Sequence, residues 1–282
     1  MNNYQERILK VLIYIQNHLD QPLSLEKLAS IAHFSEFHFH RIFTANTGES
    51  IKSYVRRLRL ERATSDLVFT DLPIIQIAER AGYDTQQSFH RAFKEVFHET
   101  PKNFRDKKLK VIADISKEKK STPEALPVEI KTIPPINVAF ARHVGPYTYQ
   151  DVSMVWFELL KEIGMPHFLS EKTLKIGIPY DSNETTPEDK LRYDACVTID
   201  DLPNFKPKGA IGLQTLHGGK YAVITHHGPI ETIDKTYEYL FGVWLPESNY
   251  EPADYPNFML HHKIPIQTAP EELVTEIYLP IK

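Results

Sequence analysis

Apolar residues follow a helical period through the first hundred residues and a strand-like alternation after that. Ile8, Val11, Leu12, Ile15 and Leu19 form one stripe along residues 4–19, and Pro22 ends the run. Ser24 is placed to cap a short helix, LEKLASIA. Ser35 is placed to cap another over residues 36–47, which Gly48 closes. Residues 51–69 predict one long helix with Arg56, Arg57, Arg59 and Arg62, about 28 Å in length at 1.5 Å per residue. Ile74, Ile77, Ala78 and Ala81 begin a further short helix. Gly82 supplies a turn, and Asp84 or Thr85 caps the helix beyond it. That helix turns Phe89, Phe93 and Phe97 to one side and Gln86, Gln87, His90, Arg91 and Lys94 to the other.

The two short-helix pairs are copies. Phe34 answers Tyr83, and Ser35 answers Asp84. Phe39, His40, Arg41 and Phe43 answer Phe89, His90, Arg91 and Phe93, and Tyr54 answers Phe104. The offset is 49 before the turn and 50 after it, so one residue is gained between turn and helix. Helix, turn and a second helix with an exposed polar face predict a helix-turn-helix unit. Gln can read adenine, Arg guanine, and Lys can meet phosphate. The alternative, on these residues alone, is an ordinary amphipathic pair with a solvated face. The long helix between the copies is close to the ~34 Å of one DNA turn. A rod of that length would set two readers in successive major-groove segments without dimerisation.

From Val128 the period changes to two. VEIKTI, NVAFARHV, RYDACVTID, GAIGLQTL, YAVITHHG and ELVTEIYLPI read as strands, and residues 149–163 and 230–244 as helices. This half also repeats: VAFARHVGP answers YAVITHHGP at a constant 83 residues. Two strand–turn–helix units that pair through their strands predict an antiparallel sheet with two helices on one face. The opposite face and the seam between units are left for a ligand. The predicted fold class is therefore α+β and multidomain: an all-α domain with two helix-turn-helix units over 1–108, a charged linker over 109–126, and an α+β domain over 127–282.

Composition sharpens this division. Residues 1–110 hold 17 Lys and Arg against 13 Asp and Glu, a net of +4; the rest hold 16 against 24, a net of −8. The overall −4 would argue against nucleic acid, but the basic first part fits DNA binding by that part alone. The single cysteine, Cys196, excludes a disulfide framework and is expected to be inert inside its apolar strand. The absence of a leader-like apolar stretch and of any run near 18 apolar residues predicts a soluble, cytoplasmic protein without a membrane partner. There are 13 histidines, but the adjacent pairs His226-His227 and His261-His262 would point to opposite strand faces. No metal or cofactor is expected.

Residues 4–105 resemble the DNA-binding domain of the AraC/XylS family of transcription regulators, most nearly its MarA/SoxS/Rob branch. FSEFHFHRIF, IAERAGY, QQSFHRAFK and TPKNFR carry the likeness. One departure is His98, where many members have glycine. Residues 127–282 resemble the GyrI-like effector-binding domain through HVGPY, IGIPYDSNETTPEDKLRYDACV, GGKYAVITHHGP, WLPESNYE and TEIYLPI. A DNA-binding domain followed by this one is the Rob-like arrangement. It implies a sequence-specific regulator of transcription, not an enzyme, that senses a small molecule, with double-stranded DNA and RNA polymerase as candidate partners.

The resemblance places Phe37, His40 and Arg41 at base-facing positions of the first reader. It places Gln86, Gln87, His90 and Arg91 at those of the second, with Lys94 and Lys102 on phosphates. It also implies an aromatic-lined ligand site drawn from Tyr147, Trp156, Tyr180, Tyr193, Trp244 and Phe258. Related domains often follow the phenylalanine matching Phe258 with a glutamate that pairs with cationic ligands. Here Met259 stands there, which favours a neutral or anionic ligand. Two other classes of function stay open. One is an enzyme that turns over a reactive small molecule with Tyr193 and His143. The other is an accessory DNA-binding protein whose second domain binds another protein.

Overall fold

The computed structural model describes residues 4–120, 126–199, 205, 210–263 and 268–282. The chain divides into two compact units, one of Met1–Lys107 with Lys208–Gly212 and the other of Lys108–Pro207 with Leu213–Lys282. No helix among the described residues is long and apolar enough to cross a membrane.

The first unit is a chain of helices: α1 (Tyr4–Asn17), α2 (Leu25–Ile31), α3 (Glu36–Thr47), α4 (Ile51–Phe69), α5 (Ile74–Arg80), α6 (Gln86–Phe97) and α7, which begins at Pro101. The repeat read from the sequence is a repeat in space. Phe39, Phe43 and Tyr54 pack edge to face, with ring centroids 5.6 and 5.4 Å apart. Phe89, Phe93 and Phe104 repeat the contacts at 5.6 and 5.6 Å. The rod α4 serves both copies. Its first half gives Ile51, Tyr54, Val55 and Leu58 to the core under α3; its second gives Leu60, Ala63 and Leu67 to the core under α6. Both helices start on a hydroxyl cap. Ser35 accepts from the His38 amide at 3.4 Å and Thr85 from the Ser88 amide at 3.1 Å, so the cap in the second copy falls to Thr85 rather than Asp84.

The two copies solve their backbone turns with the same pair of residue types in opposite order. The turn before the reading helix needs a left-handed residue, and so does the end of that helix. The first copy uses His33 (φ 52°) and then Gly48 (φ 71°); the second uses Gly82 (φ 75°) and then His98 (φ 59°). Histidine in this region costs more than glycine. The departure at His98 thus leaves the turn intact: its amide still donates to the Lys94 carbonyl at 3.0 Å.

The arginines of the rod are fasteners. Arg56 pairs with Glu95 of α6 at 2.6 Å, and Arg57 with Glu49 and Glu61 at 2.7 and 3.2 Å. Arg59 donates to the carbonyls of Leu19 and Gln21, both at 2.8 Å, and Arg62 to that of Arg80 at 2.6 Å. Arg105 donates to the Leu67 and Leu72 carbonyls at the far end of α4.

Residues 109–120, read as the start of a linker, continue α7 (Pro101–Lys120) as helix. Lys, Glu and Ala are strong helix formers, and neither Gly nor Pro interrupts before Pro123. Residues 121–125 lie outside the described residues.

The second unit contains β1 (Val128–Ile133), β2 (Ile136–Val144), α8 (Tyr149–Ile163), α9 (Met165–Phe168), β3 (Lys175–Pro179), β4 (Arg192–Thr198), β5 (Gly212–Leu216), β6 (Gly219–His227), α10 (Ile233–Tyr239), β7 (Phe258–His261) and β8 (Val274–Pro280). Among the described residues, eight strands form one sheet in the order β1-β6-β8-β7-β3-β4-β2-β5. The pairings from β1 through to β2 are antiparallel. The helical stretch 230–244 is mixed: a 3₁₀ turn leads into α10, and Leu240–Trp244 is wound more widely as a π turn.

The 83-residue repeat holds down to single hydrogen bonds. His143 Nε2 lies 3.0 Å from the Pro146 carbonyl, and His226 Nε2 lies 3.0 Å from that of Pro229. The imidazole therefore closes each His-x-Gly-Pro turn between strand and helix. The repeated strands β2 and β6 do not pair with each other; four strands separate them. The halves join through β3 and β7, two short strands that the alternation did not predict.

Candidate DNA-reading face and ligand site

The residues read as base- and phosphate-facing lie on the outside of the first unit. Phe37 is 70% exposed on the first turn of α3, not core. The Arg41 guanidinium lies 5.8 Å from its ring centroid, and His40 is exposed beside it. On α6, Gln86, Gln87, Arg91 and Lys94 are exposed and His90 is half-buried. Gln86 Nε2 and His90 Nε2 stand 3.4 Å apart. Lys102 is exposed on α7. The contrast with α4 is chemical. Every arginine of the rod has an acid or carbonyl partner, whereas Arg41, Arg91, Lys94 and Lys102 have no ion-pair partner among the described residues. A cation left free on a polar helix face can pair with phosphate or a base edge. Glu95 is tied to Arg56, which holds its carboxyl below the usual range and keeps one turn of α6 fixed to the rod.

Arg91→Ala is expected to weaken binding to the preferred DNA by about 1–3 kcal/mol and to relax one base position. Site selection followed by affinity measurement on single-base variants reads this. An equal loss on every sequence would make Arg91 a phosphate contact.

In the second unit, strand register divides the ligand candidates between the two faces of the sheet. Cross-strand partners share a face, and neighbours along a strand do not. Met259 pairs with Gly177 and Ile277, His261 with Thr275, and Thr275 with His226. The helices cover this face: His226 Nδ1 contacts Thr236 of α10 at 2.8 Å, and Trp156 of α8 meets His261 edge-on at 5.8 Å. α8 packs on β2 and β4, and α10 on β6, so the β3–β7 seam lies between them. Over that seam stand Tyr147, Trp156, Tyr193 and Met259. Tyr147 and Tyr193 rings are 6.2 Å apart. Burial pushes both tyrosine hydroxyls well above their usual pKa, so they stay protonated donors.

Tyr180 and Phe258 belong to the other face. Phe258 stacks on Tyr278 at 4.6 Å, with the Tyr221 ring edge-on. Tyr180 donates to Asp194 at 2.8 Å and lies between two guanidiniums, Arg142 at 5.0 Å and Arg192 at 5.3 Å from its ring. Each arginine is paired with a buried aspartate: Arg142 with Asp194 at 2.7 Å, Arg192 with Asp181 at 2.6 Å. Trp244 sits in the π turn, stacked 6.2 Å from Tyr250. The rings expected around one ligand are thus not one set. Tyr237, His261 and Gly177 were missed by sequence reasoning. Tyr237 of α10 has a hydroxyl held protonated by burial and bonded to Asn257 at 2.9 Å. His261 was legible in principle, since period two puts it on the face of Met259.

A GyrI-like small-molecule binding domain matches residues 126–282, and a helix-turn-helix domain matches residues 28–107. The chain belongs to the GyrI-like family, joined to an AraC-type reader. It is a DNA-binding transcription regulator with a small-molecule binding domain. The right origin-binding protein of Escherichia coli K12 is 27% identical over 257 residues, which is 86% of this chain and 85% of that protein. The transcriptional regulator Rob of Salmonella typhimurium is 43% identical over 98 residues, 35% of this chain and 34% of that one. An HTH-type transcriptional regulator of Bacillus subtilis is 38% identical over 102 residues, 36% of this chain and 35% of that one. These last two likenesses are confined to about a third of each chain. The matched ranges follow the charge division, with the basic part in the reader and the acidic part in the GyrI-like domain.

Proposed function

We propose that one chain reads two successive major-groove segments through α3 and α6, and that a small molecule over the β3–β7 seam sets the effect on transcription. The DNA-reading part comprises residues 1–108 and the sensing part residues 127–282. The observation that carries this is the free polar face on both repeated helices, set against a rod whose own arginines are all engaged. Phe37 packs against a base or sugar, Arg41 and Arg91 read bases with His40, His90, Gln86 and Gln87, and Lys94 and Lys102 meet phosphates. The name of the right origin-binding protein supports DNA as the partner. RNA polymerase is the second macromolecular partner, as the output of a regulator requires.

The sensing part binds without turnover. His143, the base an enzyme would need, is committed to its turn carbonyl, and Tyr193 is held protonated. Met259 supplies apolar surface and no charge, so neutral or anionic aromatic compounds are the ligand class.

Transcription from a promoter carrying the selected site, measured with and without such compounds, tests this reading. A bound effector is expected to change output by roughly 5–150-fold, the span of ordinary allosteric couplings, and to be recovered intact. Recovery of an altered compound would make the domain an enzyme. A protein partner retained at high salt, with no compound effect, would make the chain an accessory DNA-binding protein.

A further inference from the structure

His261 ends β7 two residues beyond Met259 and faces the same side of the sheet. Its Nδ1 is 3.2 Å from the Thr275 hydroxyl. Its Nε2 is buried and has no hydrogen-bond partner among the described residues. Buried polar atoms are rarely left so, because the lost hydration is not returned. The atom is aimed over Gly177: a Cβ there would sit 3.0 Å from it and inside contact distance of the Tyr193 hydroxyl. His261 Nε2 and the Tyr193 hydroxyl therefore converge above the same glycine, in the seam between α8 and α10. Burial keeps the Tyr193 hydroxyl protonated, so it has a hydrogen to give.

We propose that the effector is a neutral aromatic molecule bearing a hydroxyl, a phenol or naphthol, with that hydroxyl held between Tyr193 and His261 Nε2. This rests on the reading of the seam as the ligand site and narrows its ligand class. With the His261 proton on Nδ1 and donated to the Thr275 hydroxyl, Nε2 accepts while Tyr193 donates, and a hydroxyl, which both donates and accepts, satisfies the two together. An ether or a carboxylate only accepts, and an ammonium only donates. Charge is also mismatched. Burial lowers the His261 pKa to about 4, so the ring offers no cation to an anion, and Met259 offers no carboxylate to a cation. Lys175, on the same face of β3, has its ammonium on the Ser170 carbonyl at 3.1 Å.

Four naphthalenes of one size test the assignment by calorimetry with the full chain: 2-naphthol, 2-methoxynaphthalene, 2-naphthoate and 2-naphthylmethylammonium. The expected order puts 2-naphthol first, at least about tenfold tighter than the ether, because a site built to bond a hydroxyl rejects the analogue lacking it. His261→Phe should bring naphthol and ether within about twofold while the ether keeps its affinity. Tyr193→Phe, which retains the ring, should do the same and guards against one variant failing to fold. Equal binding of naphthol and ether by the wild-type chain would overturn the proposal, as would a preference for either ion. A loss shared by all four in both variants would make the two residues structural and overturn it too. If none of the four binds, the seam is not the ligand site, and the broader reading falls with the narrower one.

Discussion

Asp194→Ala is expected to cost the second unit about 3–5 kcal/mol, a large fraction of the stability of an ordinary domain. The Asp194 side chain is fully buried and the Arg142 side chain is 5% exposed; the pair is bidentate, with both bonds at 2.7 Å. Tyr180 and Gln214 add bonds to the same carboxylate oxygen at 2.8 and 3.1 Å. Alanine would strand a guanidinium in the interior and remove the acceptor of four hydrogen bonds, and that uncompensated charge is the source of the loss. Both tryptophans of the chain, Trp156 and Trp244, lie in this unit, so urea unfolding followed by tryptophan emission reports on it alone. The same logic predicts that Arg142→Met combined with Asp194→Leu recovers most of the loss, since removing both charges leaves no uncompensated charge, and Tyr180 and Gln214 keep their bond to each other. A loss below about 1 kcal/mol for Asp194→Ala would put the pair in the class of surface ion pairs and contradict its burial.

The second large effect is expected at Gly177. Alanine there would drive its methyl group into the Tyr193 hydroxyl and to 3.0 Å from His261 Nε2. Tyr193 cannot retreat freely, being buried with the Tyr147 ring edge-on against it at 6.2 Å. Overpacking of this kind costs about 1–3 kcal/mol. Loss of small-molecule binding should accompany it, because both polar atoms over the glycine are displaced. The same tryptophan-detected unfolding and a binding titration check this. Stability unchanged to within about 0.5 kcal/mol, with binding retained, would show that the seam yields at no cost.

The reader was legible because its information is local and stated twice. Caps, turns and a four-residue phenylalanine period recur at a fixed offset, and a second copy turns a weak pattern into a specific one. The swap of histidine for glycine between the two turns was half visible: His98 was noticed against the family pattern, while His33 shows itself only by its backbone angle. In the second unit the long alternating strands were legible. β3 and β7 were not, since five residues ending in Gly-Ile-Pro and four reading Phe-Met-Leu-His carry no alternation. Those two strands are the seam, so the partners of the ligand site were hidden with them. Phe258 and Met259 are neighbours in sequence, yet a strand sends neighbours to opposite faces. Tyr180 was grouped by ring chemistry, but its place was decided by two buried ion pairs whose members lie 52 and 11 residues apart.

The account rests on both helices of the repeat engaging one DNA face through a single chain. It is tested most directly by inserting five base pairs between the two halves of the selected site and measuring the affinity of the full chain. Half a helical turn sends the halves to opposite faces of the duplex, where α4 cannot bring both readers to bear. Affinity is expected to fall to that of a site with one half destroyed, and a ten-base-pair insertion should not be tolerated either, because the rod has a fixed length of 19 residues. Unchanged affinity after the five-base-pair insertion would mean that one helix does the binding, and would contradict the account.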